Sequence, residues 1–269
     1  MEINQNKIIN TNYRNEIRVK LKIEEKDIDS EIYFLDNTNR NDFIENGKTV
    51  SHIHDNLPEL NTETTKLFIN DHEEVFQKFI IPEKIGIYNI KLIIDVKMTN
   101  CRYMFYDCKK IIDIDLSLFN SKKVTDMRSM FEGCKNLTNI NLSSFNTEKV
   151  KDMSFMFFCC GNIKKIDLYS FNTKSVRNMA YMFNGCSSLT KIDLSYLNTI
   201  NVVNMVMMFA WCNNLVKIDL AFINTRKLKK FSQIFYRSKK LTKVKATREV
   251  YLKIKQKDIS KNAFSLIEI

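Results

Sequence analysis

Residues 172–195 read NTKSVRNMAYMFNGCSSLTKIDLS, and most of this stretch recurs along the chain. Five cysteines follow one another at steps of 26 residues, and the same step separates columns of phenylalanine, leucine and asparagine. These columns are Cys108, Cys134, Cys160, Cys186 and Cys212; Phe105, Phe131, Phe157, Phe183, Phe209 and Phe235; Leu116, Leu142, Leu168, Leu194 and Leu220; and Asn120, Asn146, Asn172, Asn198 and Asn224. Several columns that share one period, in the range of roughly 20–50 residues, indicate stacked structural repeats.

Each repeat carries two kinds of pattern. The segment Leu189–Leu194 ends in the alternation Ile-Asp-Leu, which predicts a short parallel strand followed by a turn. The segment from Met127 to Cys134 places Met, Met, Phe and Cys at i, i+3, i+4 and i+7, which predicts a short helix with one apolar face. The expected N-caps are Asp126, Asp152, Asn178 and Asn204, and the expected C-caps are Gly133 and Gly185.

The sequence therefore predicts an α/β solenoid of 26-residue repeats, each with a parallel strand and a short helix, over residues 96–245. The last copy decays to Phe231, Ile234, Phe235 and Ser238, as expected of a terminal repeat. Residues 1–95 lack the repeat and predict a β-rich N-terminal cap domain, and residues 246–269 predict a C-terminal cap. The expected N-terminal strands are Glu16–Ile23, Glu31–Leu35, Lys66–Ile69 and Ile87–Ile94.

Composition narrows the class of protein. The chain of 269 residues is 44% hydrophobic and 27% charged, with five glycines and two prolines, which excludes a disordered or collagen-like chain. Its apolar runs are too short for a transmembrane segment. No secretory signal peptide is apparent at the start, which favours a cytoplasmic location with reduced thiols. The net charge of +11 is compatible with an anionic partner or with a solvated basic surface.

The repeat resembles the BspA-like leucine-rich repeats of bacterial and protist surface proteins. The resemblance is carried by N-T-x-x-V-x-N-M-x-x-M-F-x-G-C-S-S-L-x-x-I-D-L-S, which is nearly intact from Asn172 to Ser195 and extends over roughly residues 96–245. It implies a curved solenoid used in adhesion or protein binding. It also implies a cell-surface location, so the location stays open between the surface and the cytoplasm.

The predicted strand face is the candidate partner-binding surface. A column of lysines runs beside a column of aspartates two residues further along each strand, and two tyrosines lie near its rim. We expect this concave face to bind another protein through Lys165, Asp167, Tyr169, Lys191, Asp193, Tyr196, Lys217 and Asp219. The structural alternative is that the lysines only offset the repulsion between neighbouring aspartates.

The cysteine and asparagine columns are predicted to be structural. The thiols fall on the apolar face and lack a Cys-x-x-Cys spacing, which favours packing over a metal or redox role. Stacked asparagines are expected to satisfy backbone groups of neighbouring repeats.

No catalytic, metal-binding or cofactor-binding motif is apparent, so we expect a non-catalytic chain without a cofactor. We also expect a monomer. One alternative is electrostatic binding of nucleic acid or an anionic membrane through a basic convex edge, with nucleic acid the less favoured partner because no aromatic platform accompanies it. The edge consists of Lys122, Lys123, Lys149, Lys174, Arg226, Lys227, Lys229 and Lys230. A more distant alternative is a metal-dependent activity at His52 and His54 in the N-terminal region.

Overall fold

The computed structural model describes residues 15–36, 43–45, 48–50, 57–257 and 265–268. This part of the chain is rich in strands and poor in helix. The N-terminal strands are β1 (Glu16–Ile23), β2 (Ile32–Tyr33), β3 (Phe43–Glu45), β4 (Lys48–Val50), β5 (Thr65–Ile69), β6 (His72–Glu74), β7 (Phe79–Ile80) and β8 (Gly86–Ile94). The remaining elements are β9 (Ile111–Leu118), β10 (Asn139–Asn141), β11 (Lys217–Asp219), β12 (Lys243–Ala246), α1 (Arg248–Lys257) and β13 (Ser265–Glu268), with a 3-10 turn at Glu25–Asp27.

The N-terminal strands and the first repeats share one sheet. Its six strands run in the order β10-β9-β1-β8-β5-β6, and β1 pairs antiparallel with both β8 and β9. The four strands expected from the sequence in residues 1–95 are confirmed as β1, β2, β5 and β8. Alternate residues of β1 are buried, including Ile17, Val19 and Leu21, because one face of the sheet packs on the hydrophobic core.

Parallel pairing joins residues that are 26 positions apart. β10 pairs with β9 so that Ile140 lies opposite Ile114, and β11 pairs with β12 so that Ile218 lies opposite Val244. Single parallel bridges link Asn100 to Asp126 and continue at the same step as far as Lys230. In the third and fourth repeats the predicted strands are not formed at residues 165–167 and 191–193.

The predicted short helix of each repeat is wrong. In the segment Met127–Cys134, Met130 and Cys134 close tight turns by donating their N–H groups to residues three positions earlier, whereas Ser129 and Phe131 donate to carbonyls of the following repeat. An α-helix requires each N–H to bond four residues back within its own segment. Ser129 and Gly133 have φ values of 56° and 75°, which interrupt any helix.

The left-handed positions recur in every repeat and explain why the sequence pattern was misleading. The two series are Tyr103, Ser129, Phe155, Tyr181, Met207 and Gln233, and Asp107, Gly133, Cys159, Gly185, Trp211 and Arg237. A left-handed non-glycine residue costs about 1–2 kcal/mol, which the hydrogen bonds to the next repeat offset. The turn segment still buries Met127, Met130, Phe131 and Cys134 completely, as the apolar spacing indicates.

We expect Gly185→Ala to lower the free energy of unfolding by about 1–2 kcal/mol. Gly185 has a φ of +77°, and an added Cβ would lie 3.2 Å from the Cα of Cys159. Gly161→Ala is the matched control, because its nearest contact is the Ser187 hydroxyl at 3.5 Å. Chemical denaturation of both variants measures the difference, and equal stabilities would contradict the proposed strain.

One hydrophobic core extends from the N-terminal sheet through all the repeats. Its centre is a stack of phenylalanine rings, in which Phe131, Phe157 and Phe183 follow one another at centroid distances of 5.2 and 5.7 Å. A second stack contains Phe119, Phe145 and Phe171. Consecutive repeats therefore bury identical side chains against each other, which fixes their register.

No helix among the described residues is long and apolar enough to cross a membrane.

Candidate functional site

The candidate site is the strand face, defined by Lys165, Asp167, Tyr169, Lys191, Asp193, Tyr196, Lys217 and Asp219. All eight side chains are exposed to solvent. The intervening residues Ile166, Leu168 and Leu194 are buried, so the backbone is anchored from the opposite side. The face thus consists of polar side chains held over a packed apolar layer.

The aspartates of the strand face have a structural task. Asp167, Asp193 and Asp219 each accept a hydrogen bond from the backbone N–H two residues later, at 3.0, 2.9 and 2.9 Å. Asp193 also accepts from the Ser195 hydroxyl, and this bond together with the Ser195 N–H lowers the pKa of the Asp193 carboxyl. Asn141 makes the same backbone bond in the second repeat. The carboxylates therefore close the turn that follows each strand position.

The lysines of the strand face are not tied to these aspartates. Asp219 forms an ion pair with Lys245, which holds the aspartate position of the next repeat, and 3.0 Å separates Nζ from Oδ2. Lys165, Lys191 and Lys217 lie within 4 Å of no described carboxylate. Charge compensation inside the face is consequently a weaker explanation of the lysine column than the sequence suggested.

Two tyrosines form an exposed aromatic pair at the end of the strand face. The rings of Tyr169 and Tyr196 meet edge to face with centroids 5.2 Å apart. Their side chains remain 73% and 45% exposed. An aromatic pair that is preorganised yet exposed is suited to the centre of a protein interface.

The strand face continues onto the N-terminal sheet, which the sequence did not predict. Arg18 of β1 lies in register with Asp115 of β9, and Lys20 with Asp113. The two aspartates of the first repeat therefore have basic neighbours from β1. The alternation of residues 16–23 indicates an exposed face, but the partner of β1 could not be read from it.

The asparagine column does not join neighbouring repeats through its side chains, which corrects the prediction. The amide oxygens of Asn146 and Asn172 accept the backbone N–H two residues later in the same repeat. The same bond is made by Asn120, Asn198 and Asn224. The side chains of this column therefore stabilise the turns of their own repeats.

The residue after each asparagine makes the connection instead. The Thr173 hydroxyl donates to the Asn198 carbonyl at 2.9 Å and accepts the Asn198 N–H at 2.7 Å. Ser121, Thr147 and Thr199 occupy the equivalent positions and also bond to the following repeat. We call Ser121, Thr147, Thr173 and Thr199 the hydroxyl ladder, and all four side chains are buried.

The cysteine column lies entirely within the core. Cys108, Cys134, Cys160, Cys186 and Cys212 are all buried. From the second repeat onward each thiol donates to a phenylalanine carbonyl of the preceding repeat, as from Cys134 to Phe105 at 3.0 Å. Burial raises the pKa of Cys212 to about 12 and that of Cys160 and Cys186 well above its usual value. These thiols act as small buried donors.

We expect one thiol of the native protein to react with Ellman's reagent at pH 8. Cys159 is half-buried, whereas the other six cysteines are buried. Burial raises the pKa of Cys159, and it raises that of Cys160 and Cys186 well above the usual value, so little thiolate forms at pH 8 and the reaction is slow. Denaturant should release all seven thiols, and Cys159→Ser should abolish the native reaction. Rapid labelling of several native thiols contradicts this assignment.

A half-buried aromatic group on the turn segments is a surface that the sequence analysis missed. Phe155 stacks on Tyr181 with centroids 4.6 Å apart, and Phe158 packs against both rings. Phe155 and Tyr181 occupy equivalent left-handed positions of consecutive repeats. Their recurrence at 26 residues was the available signal.

The other candidates have no site around them in the described part of the chain. The edge lysines and Arg226 predicted as an alternative surface are all exposed. His52 and His54 lie outside the described residues, and His72 is exposed in β6. No group of three potential metal ligands occurs among the residues that the structure describes.

Comparisons with known proteins place the repeats in a family. A search of curated proteins finds no significant match. A crystal structure of a leucine-rich repeat protein from Bacteroides ovatus is similar at 15% identity, covering 64% of this chain and 67% of the other. The TM-score is 0.23, too low to support a conclusion about shape or function.

The family model described as "Mycoplasma protein of unknown function, DUF285" matches residues 99–193 and 160–264. The two matches together span residues 99–264 and contain the whole strand face. Because they cover more than half of the 269 residues, the chain belongs to the DUF285 family.

Proposed function

We propose that the chain is a non-catalytic protein-binding module whose strand face contacts another protein. The observation that carries the proposal is the exposure of all eight predicted side chains over a buried layer. A rigid, contiguous polar surface with an aromatic pair offers binding groups at little entropic cost. The family match adds that the residues belong to a repeat family, which is a common source of interaction modules.

The proposal includes a solenoid architecture for residues 96–245 and a monomeric state. The parallel bridges between residues 26 apart support the solenoid, because each repeat then contacts its sequence neighbours. Residues 1–95 would cap one end, supported by the pairing of β1 with β9. Residues 246–269 would cap the other, supported by the pairing of β13 with β12. An adhesive role on the cell surface is the form of this function that the resemblance implies.

The test is affinity capture with a charge exchange on the strand face. Lys191→Glu combined with Asp193→Lys keeps the net charge and is expected to abolish retention of the partner. Glu148→Lys combined with Lys149→Glu is the matched control, since both residues are exposed and outside the strand face. Capture should be run on surface-labelled and cytosolic fractions of the source cells. Unchanged retention by the Lys191 and Asp193 exchange overturns the proposal.

The electrostatic alternative predicts a different outcome. Binding of nucleic acid or anionic membrane through the edge lysines would fall steeply with salt. It would also be lost on replacing Lys174 and Lys229 with glutamate, while the exchange on the strand face would leave it intact.

A further inference from the structure

The strongest unexplained feature of the strand face is a column of like charges. Lys165, Lys191, Lys217 and Lys243 recur at the same position of four consecutive repeats, and Lys217 lies in direct register with Lys243. Paired parallel strands are about 4.8 Å apart. Neighbouring ammonium groups at that spacing repel one another even in water. We call these four residues the lysine ladder.

The aspartates beside the ladder are engaged in other bonds. Each aspartate bonds the backbone N–H two residues later, and Asp219 additionally pairs with Lys245. No carboxylate of the described residues lies within 4 Å of Lys165, Lys191, Lys217 or Lys243. The ladder begins only at the third repeat, since Asp113 and Asn139 hold the equivalent positions in the first two.

We propose that the lysine ladder binds an extended polypeptide segment that presents acidic side chains along one edge. This rests on the proposed protein-binding function and specifies the chemistry of the partner. An extended chain advances about 3.3 Å per residue, so side chains on one edge recur at about 6.6 Å. Three such acidic side chains span nearly the same length as the four lysines.

The aspartate column selects a polypeptide over a uniform polyanion. Asp167, Asp193 and Asp219 each follow a lysine of the ladder by two residues, and their side chains are exposed. A phosphate chain would meet repulsion on that side, because it carries negative charge along its whole length. A polypeptide can face the lysines with acidic side chains and the aspartates with neutral or basic ones.

The test uses three fluorescein-labelled probes on the intact chain. They are a twelve-residue peptide of alternating glutamate and serine, the same peptide with glycine in place of glutamate, and a twelve-nucleotide oligothymidylate. Fluorescence anisotropy in low salt and at physiological salt measures each dissociation constant. We expect the acidic peptide to bind more tightly than the oligonucleotide at physiological salt, and the glycine peptide not to bind.

Charge variants locate the binding site. Lys191→Glu combined with Lys217→Glu should weaken binding of the acidic peptide at least about tenfold. Lys174→Glu combined with Lys229→Glu makes the same change in net charge on the other exposed edge and should leave specific binding intact. Asp193→Asn should strengthen binding, because Asn141 shows that an amide makes the same turn bond.

Three outcomes overturn the lysine-ladder proposal: no binding of the acidic peptide, equal losses in the two double variants, or tighter binding of the oligonucleotide. Each is distinguishable from failure of the proposed function. If the charge exchange at Lys191 and Asp193 abolishes capture of a partner while the acidic peptide does not bind, the strand face binds proteins of other chemistry. If the charge exchange leaves capture unchanged and the acidic peptide does not bind, both proposals fail.

Discussion

Replacing Phe183 with alanine is expected to lower the free energy of unfolding by about 3–5 kcal/mol. Phe183 is fully buried, and its ring stacks between those of Phe157 and Phe209 at 5.7 and 5.4 Å. Truncation removes apolar surface from the core and leaves a cavity that the anchored repeats cannot close. The loss should be large because both neighbouring repeats contribute a ring to the same contact.

Equilibrium denaturation in guanidinium chloride, followed by tryptophan fluorescence and circular dichroism, measures the change. Trp211 is the single tryptophan and lies one repeat beyond Gly185 at the same position, so it reports on this part of the chain. Tyr169→Ala is the control. Because the Tyr169 side chain is 73% exposed, its removal should change the free energy of unfolding by no more than about 0.5 kcal/mol. A Phe183→Ala protein as stable as this control would contradict a continuous phenylalanine core.

The sequence was sufficient to predict the core and insufficient to predict the backbone around it. Recurrence at 26 residues identified the buried positions, among them Met179, Phe183 and Cys186. The spacing i, i+3, i+4, i+7 was interpreted as a helix because a helix is the commonest backbone that buries those positions together. A turn with left-handed residues at Tyr181 and Gly185 buries the same side chains. A tyrosine does not indicate a left-handed conformation in a sequence, because that conformation is uncommon for residues other than glycine, asparagine and aspartate.

The sequence predicted which residues form the strand face, but it did not predict that the face continues onto β1. Period-two alternation identified Lys191 and Asp193 as neighbours on one face, and both are exposed. The contact between β1 and β9 joins residues about 95 positions apart, and hydrophobic patterning gives no information on such pairing. The sequence analysis also missed that the aspartates accept backbone N–H groups, because these bonds depend on the conformation of the local turn.

Thr173→Val should cost about 2–3 kcal/mol, because it removes the hydroxyl and keeps the shape of the side chain. The Thr173 hydroxyl is buried and both accepts from and donates to the backbone of Asn198. Valine leaves that N–H and that carbonyl without their partner, and a buried polar group without a partner costs about 1–3 kcal/mol. Thr→Val therefore measures the connection between two repeats with little change in packing.

Asn172→Ala is the matched comparison and should cost less than about 1 kcal/mol. The Asn172 side chain is exposed and accepts one long bond, 3.3 Å from the Lys174 N–H of its own repeat. Both variants can be compared by thermal and chemical denaturation under the same conditions. If Asn172→Ala were the more destabilising, the asparagine column would join the repeats, as the sequence first suggested. The opposite order assigns that task to the hydroxyl ladder, whose members each bond to the repeat that follows.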